Sequence, residues 1–202
     1  MHILDVIKYE GGNNTLVWKH PAEDFNTVSQ LIVHESQEAL FFRDGQALDL
    51  FGAGRYTLHT QNIPLLGALV KLPFDGVSPF HCEVYFINRT EEMAIRWGTD
   101  SRVSFMDPTY GFPMTIGAGG EMTLSVADSR RLVIKLVGTE ALLSRDKFVS
   151  YMRAIINLKV KPFLSSVMQQ GEFTIFDVDA HMEEFSQTLQ QRAFIPLTSH
   201  VR

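Results

Sequence analysis

The chain has 202 residues, 45% of them hydrophobic and 20% charged, which excludes wholesale disorder and leaves enough length to bury a core without disulfide or metal staples. Eighteen basic against twenty-three acidic side chains give a formal charge of −5; this excludes a general nucleic-acid binder, which needs a basic face to displace counterions from phosphates. A single cysteine excludes an internal disulfide and a multi-cysteine zinc site and points to a reducing compartment.

Residues 1–10 place Ile3, Leu4 and Ile7 at helical spacing, and Gly11-Gly12-Asn13-Asn14 ends that segment with turn residues. A short strand is expected over Thr15 to Trp18. Strand-like runs follow at Leu31 to Ser36 and Ala39 to Arg43, joined through the hairpin signal Asp44-Gly45 to Ala47 to Phe51. Gly52-Ala53-Gly54 bends the chain into a strand over Arg55 to Thr60. The most apolar short run, Ile63 to Leu72, carries Pro64, Gly67 and Lys71 and is far shorter than the roughly twenty residues of a spanning helix. With no secretory signal pattern at the N-terminus, the expected location is cytoplasmic.

Phe80 to Asn88 alternates, with Phe80, Cys82, Val84 and Phe86 on one face and His81, Glu83 and Tyr85 on the other. Glu121 to Ala127 alternates too, and Asp128-Ser129 reads as a turn into a strand over Leu132 to Val137, giving an antiparallel hairpin. After Gly138 the period changes. Ser144 is the expected N-cap of a helix carrying Phe148, Met152, Ile155, Ile156, Phe163 and Val167. Pro162 predicts a kink or two abutting helices, and Gly171 a break. A last helix is expected from Asp177 or Asp179 to about Arg192. Strands first and helices after read as α+β.

Several residues invite chemistry, and each has a plainer reading. His81 and Cys82 are neighbours, but on a strand they project to opposite faces; Cys82 is then a buried, inert thiol. Gly76-Val77-Ser78-Pro79-Phe80 begins like a serine-hydrolase elbow, yet Phe80 replaces the second glycine and Pro79 removes the oxyanion-hole amide. Asp177, Asp179 and His181 would share a face on a strand as metal ligands; the alternative is helix-start chemistry with Asp179 as cap. The glycines at 52, 54, 117, 119 and 120 precede strands rather than helices, as β-turns do and phosphate loops do not. Arg130-Arg131 and Lys159/Lys161 are too few for a nucleic-acid stripe. Ile3, Leu4 and Ile7 remain open between docking on the β-rich part and lying in a lipid headgroup layer as an interfacial helix.

Four strings together resemble a known family: Ile32 to Gly67 (IVHESQEALFFRDGQALDLFGAGRYTLHTQNIPLLG), Ser78 to Asn88 (SPFHCEVYFIN), Arg96 to Thr99 (RWGT) and Met106 to Gly111 (MDPTYG). With the opening Met1 to Gly11, they resemble the soluble bacterial branch of the SPFH, or band-seven, superfamily, whose members are often labelled virion core protein-like and whose other branches include stomatins, prohibitins and flotillins. The resemblance implies a curved antiparallel sheet flanked by helices. It also implies a non-catalytic scaffold that self-associates, sits at or peripheral to the inner face of the membrane, organises protein partners there, and needs no cofactor, metal or nucleic acid.

Phe51, Gly52, Gly54, Arg55 and Tyr56 match the branch's FGPGRY turn and are expected to be structural; Ala53 stands where the branch has proline. The expected organisation is an N-terminal amphipathic segment over 1–12, a β-rich SPFH core over 13–142 and a helical part over 143–202. The branch normally continues into a further strand and helix, so the chain is expected to be truncated at its C-terminus. The competing functions are a soluble hydrolase or metal-dependent enzyme, using Ser78 or Asp177/Asp179/His181, and a purely soluble protein-interaction module.

Overall fold

The computed structural model describes residues 6–12, 14–59, 62–70, 79–89, 93–137, 142–171, 176, 180 and 182–191. The architecture is α+β, and the chain forms two compact units, Met1–Glu91 with Ser125–Asp146, and Glu92–Leu124 with Lys147–Arg202. The β-rich stretch 13–142 therefore contributes to both.

In the first unit the strands are β1 (Val6–Lys8), β2 (Thr15–Lys19), β3 (Asp24–Asn26), β4 (Gln30–Val33), β5 (Gln37–Arg43), β6 (Gln46–Phe51) and β7 (Gly54–Thr57). Helix α1 (Pro64–Val70), β8 (Pro79–His81) and β9 (Glu83–Asn88) follow. Strand β9 is central: β2 pairs with one of its edges and β5 with the other, both antiparallel. The β5–β6 hairpin turns at Asp44 and Gly45, whose φ values of 50° and 76° are both positive, as a two-residue turn matched to strand twist requires. A smaller sheet runs β1-β4-β7; β1 lies parallel to β4, the one parallel pair among the described strands.

The core of this unit gathers Ile7, Leu31, Phe41, Phe51, Ile63, Leu66, Phe80, Cys82, Val84 and Phe86. Phe80, Cys82, Val84 and Phe86 share the core face as expected, but the strand expected from Phe80 to Asn88 is interrupted at Cys82, between β8, which pairs with β3, and β9. Tyr85 and Ile87, on the opposite face of β9, are buried as well. Antiparallel sheets commonly leave one face to water; β9, in the middle of this sheet, is covered on both, so its alternating pattern understates its burial.

The second unit holds β10 (Met93–Gly98), β11 (Val103–Met106), β12 (Pro113–Ile116) and β13 (Gly119–Leu124). Antiparallel pairing joins β10 to β13 and β11 to β12. The chain then returns to the first unit through α2 (Ser129–Leu132), a π-helical turn over Val133–Val137, and β14 (Leu142–Ser144), the edge strand beside β2. The strand expected over Leu132 to Val137 is thus a helical segment. Asp128 caps it, Oδ1 accepting from the Arg131 amide at 2.9 Å, and Ser129, Leu132 and Val133 are buried at helical spacing. A capping aspartate was read as a turn residue; both roles use the same short acceptor.

Helix α3 (Arg145–Gln170) begins directly after Ser144 and is one uninterrupted helix through Pro162. Proline removes one backbone bond and crowds the carbonyl four residues earlier; that residue, Leu158, is 72% exposed, on the helix face that water can serve. Gly171, with φ 72°, ends the helix in the left-handed conformation. Helix α4 (Met182–Leu189) follows, and Phe163 meets Phe185 at 5.9 Å between ring centroids. The expected helix start at Asp177 or Asp179 lies outside the described residues. No described helix is long and apolar enough to cross a membrane.

Candidate functional site

The first unit holds a cleft of about 430 Å³, walled by the β5–β6 turn and by Lys19, His81, Glu83 and Tyr85. Strands β2 and β9 pair so that Lys19 lies opposite Tyr85. Lys19 Nζ bonds Glu83 Oε1 at 2.8 Å and Glu23 Oε1 at 2.7 Å, and the Tyr85 hydroxyl donates to Glu83 Oε2 at 3.0 Å. His81 faces Asp24 Oδ1 at 3.0 Å and Glu23 Oε2 at 3.4 Å.

Burial works against the Lys19 charge, but its bonds to Glu23 and Glu83 outweigh that, holding it above the ordinary lysine range. The bond from Lys19 holds Glu23 below the usual carboxylate range. Burial, reinforced by the bond to Glu83, pushes Tyr85 up to about 12. Burial likewise pushes the Cys82 thiol up. Each shift reinforces the charge state that the group already has at neutral pH. A general acid or base needs the opposite, an affinity for protons brought near the working pH. The cluster is suited to locking β2, β9 and the Glu23 loop together.

The second unit holds a cleft of about 840 Å³ between the Gly117–Gly120 backbone and the helices, with Trp97, Leu164, Met168, Phe185 and Leu189 in its walls. Its lining mixes these apolar side chains with the glycine backbone and the polar Thr115, Glu121 and Ser186. Beside it, Arg153 Nε donates to the Arg96 carbonyl at 2.9 Å, and Lys161 bonds Ser101 Oγ at 2.7 Å and pairs with Asp100. The bond from Lys161 lowers the Asp100 carboxyl below its usual range. Among the described residues no group of three histidine, cysteine or acidic side chains is placed to hold a metal ion.

The residues singled out in the sequence fall as follows. Ile7 is on β1, not on a helix, and is fully buried, packed in the core opposite Leu31. This corrects its reading as a lipid-facing residue: Val6 and Lys8 on either side are exposed, which is strand alternation. Ile3, Leu4, Ser78, Asp177, Asp179 and His181 lie outside the described residues. Cys82 is fully buried in the core cluster with Phe80, Val84 and Phe86.

The Phe51-to-Tyr56 turn is a packed corner. Phe51 stacks on Phe41 at 5.4 Å and on Tyr56 at 4.9 Å, and the Tyr56 hydroxyl donates to the carbonyls of Gly52 and Ala53. Gly54 has φ 148°, and a Cβ there would meet the Tyr56 ring at 3.1 Å, so only glycine fits. Arg55 donates to Gln30 Oε1 at 2.9 Å across the β4–β7 pair. Arg130 donates to the carbonyls of Ala47, at 2.6 Å, and Leu48, covering the edge of β6.

The sequence reading missed two groupings. The Lys19–Glu23–Glu83–Tyr85 cluster depends on strand pairing across 60 residues and leaves no local signal. The loop between β11 and β12 presents Tyr110 and Phe112 to solvent, 51% and 42% exposed; its signal is the run of turn residues Asp107-Pro108-Thr109-Tyr110-Gly111 between two apolar strands.

The strings quoted from the sequence and the α+β architecture lead to one class: the chain belongs to the SPFH domain–Band 7 family, whose sequence model matches residues 17–199. It is 25% identical to the uncharacterized protein YdjI of Bacillus subtilis (strain 168), over 98% of this chain and 60% of that protein. The chain thus spans about three-fifths of the length of that relative. No solved structure matches it.

Proposed function

We propose that this chain is a non-catalytic scaffold domain of the SPFH type, which self-associates and gathers protein partners while held peripherally at the inner face of the cytoplasmic membrane. The observation that carries the reading is the family match over residues 17–199; membership of this family supports a scaffold-type role. The chemistry at the first cleft is in keeping with it, since Lys19, Glu23 and Tyr85 are each held further from proton exchange at neutral pH. Ile7 serves the core, which leaves Ile3 and Leu4 as the N-terminal candidates for lipid contact.

Light scattering combined with co-sedimentation on phospholipid vesicles tests it. The expected result is a mass of several copies and a vesicle-bound fraction that grows with self-association, since linked weak contacts bind by avidity. A chain that stays monomeric at all concentrations and ignores vesicles would overturn the proposal. So would a hydrolytic turnover lost on Ser78→Ala.

A further inference from the structure

The tip of the β11–β12 hairpin has an unusual surface. From Met106 to Pro113 the only charged residue is Asp107, and it is 1% exposed. Its Oδ1 accepts from the amides of Thr109 and Tyr110, both at 2.9 Å. Its backbone carbonyl accepts from the Gly111 amide at 2.9 Å, and its own amide donates to the Phe112 carbonyl at 3.1 Å. The loop thereby gathers three of its amides, those of Thr109, Tyr110 and Gly111, onto one aspartate. Outward it presents Met106, Tyr110 and Phe112, 57%, 51% and 42% exposed. The Tyr110 ring lies 6.0 Å from Phe112 and 5.3 Å, edge to face, from Phe176, which is 67% exposed. Three aromatic rings from two parts of the chain converge on one hairpin tip, which among the described residues carries no exposed charge.

We propose that this aromatic tip, Met106 to Pro113 with Phe176, is the surface that enters the interfacial layer of a zwitterionic phospholipid bilayer. The inference rests on the peripheral-scaffold reading and assigns its membrane contact. Large apolar side chains gathered at one exposed loop mark an interaction surface, and three features make its partner lipid. Backbone entering a region poor in water needs its polar groups satisfied internally, and Asp107 takes up the three amides of Thr109, Tyr110 and Gly111. Tyrosine, apolar in its ring and polar at its tip, is at home at the membrane–water boundary. A protein-docking patch is edged by a polar rim and anchored by groups such as arginine, and this tip carries no exposed charge. The formal charge of −5 gives no attraction to anionic lipid, so the contact is apolar and indifferent to salt.

The test uses the full chain and phosphatidylcholine vesicles. The wild-type protein should co-sediment equally at low and high salt, and the double change Tyr110→Ser with Phe112→Ser should lower its partitioning roughly tenfold or more. Phe112→Trp, a change within an exposed ring, provides a second readout: its indole emission should shift to the blue on vesicles and be quenched by lipids brominated near the headgroup. Serine variants that bind as well as wild type, with no indole shift, would overturn this inference and leave the scaffold reading standing. An indole shift that grows with protein concentration and needs no lipid would make the tip a contact between copies, and would overturn the lipid assignment. A wild-type chain that self-associates but binds no vesicle would overturn both the tip assignment and the membrane part of the proposed function.

Discussion

Helix α1 begins without a capping residue of its own. Ile63 sits at the N-cap, where its carbonyl accepts the Gly67 amide at 2.6 Å, but its side chain is fully buried and carries no acceptor. Asp49 on β6 takes over that role, Oδ1 accepting from the Leu65 amide at 3.1 Å and Oδ2 from the Leu66 amide at 2.8 Å. The carboxylate is only 7% exposed, and the bond to Leu66 is buried. Replacing Asp49 with alanine leaves the Leu66 amide with no acceptor and no access to water, while the exposed Leu65 can turn to solvent. A hydrogen bond to a charged group contributes about 1.5–3 kcal/mol, and a lost N-cap typically costs about 1 kcal/mol. Relief of the buried charge offsets part of this, giving an expected loss of about 2–3 kcal/mol for Asp49→Ala. Asp49→Asn keeps one acceptor and turns its NH2 toward the other amide, so about 1–2 kcal/mol is expected. Urea unfolding reads the total, and hydrogen exchange at the Leu66 amide locates it. A loss below about 0.5 kcal/mol for Asp49→Ala, the range of an ordinary surface change, or a Leu66 amide that keeps its protection, would refute the reasoning.

The Cys82 thiol should resist an aromatic disulfide reagent in the native state and react at once in denaturant; rapid native labelling would contradict its burial. Tyr85, pushed up to about 12 against about 10 for an unfolded tyrosine, should ionise only near pH 12 in an ultraviolet titration. Because its folded value is raised, the stability it contributes is complete below about pH 10 and lost as pH rises through about 12; Tyr85→Phe should flatten that part of the stability profile. Gly54→Ala, forced to φ 148° with its Cβ against Tyr56, should cost about 1–3 kcal/mol. Gly52→Ala, with nothing within 4 Å of the added carbon, should stay within about 0.5 kcal/mol, and the reverse order would refute the account of this corner.

How much of this was legible depends on whether the cause was local. Asp44-Gly45 announced its hairpin because positive φ at both positions is written into those two residues. The Phe148-to-Val167 spacing announced α3, and its face is buried at Phe148, Met152, Ile156, Phe163 and Val167. Helix α1 was passed over because its cap comes from Asp49, a strand away. Strand β10 carried a readable alternation, Ile95 and Trp97 buried between exposed Ala94, Arg96 and Gly98, that the sequence reading did not use. Of the sites, Cys82 could be placed from its strand neighbours alone. At the aromatic tip the turn residues Asp107 to Gly111 signal a loop, but not that Tyr110 and Phe112 face outward, which only the geometry of the turn decides.

The N-terminus shows how a period can mislead when an element is short. Ile3, Leu4 and Ile7 fit a helical face, yet β1 is three residues long and buries one of them, leaving no second inward residue to display a period of two. Its pairing is to β4 and parallel, Ile7 opposite Leu31, both fully buried; no neighbouring turn signals a partner more than twenty residues away. The consequence reaches the membrane question. Removing a buried isoleucine costs about 2–5 kcal/mol, so changing Ile7 with Ile3 and Leu4 would unsettle the core and mimic a loss of lipid binding. Changing Ile3 and Leu4 to serine while keeping Ile7 spares the Ile7 side chain and its pairing opposite Leu31, and unfolding in urea checks that the core is kept. If that chain keeps its vesicle binding and the Tyr110→Ser, Phe112→Ser chain loses it, the contact belongs to the hairpin tip; the opposite pattern returns it to the residues ahead of β1.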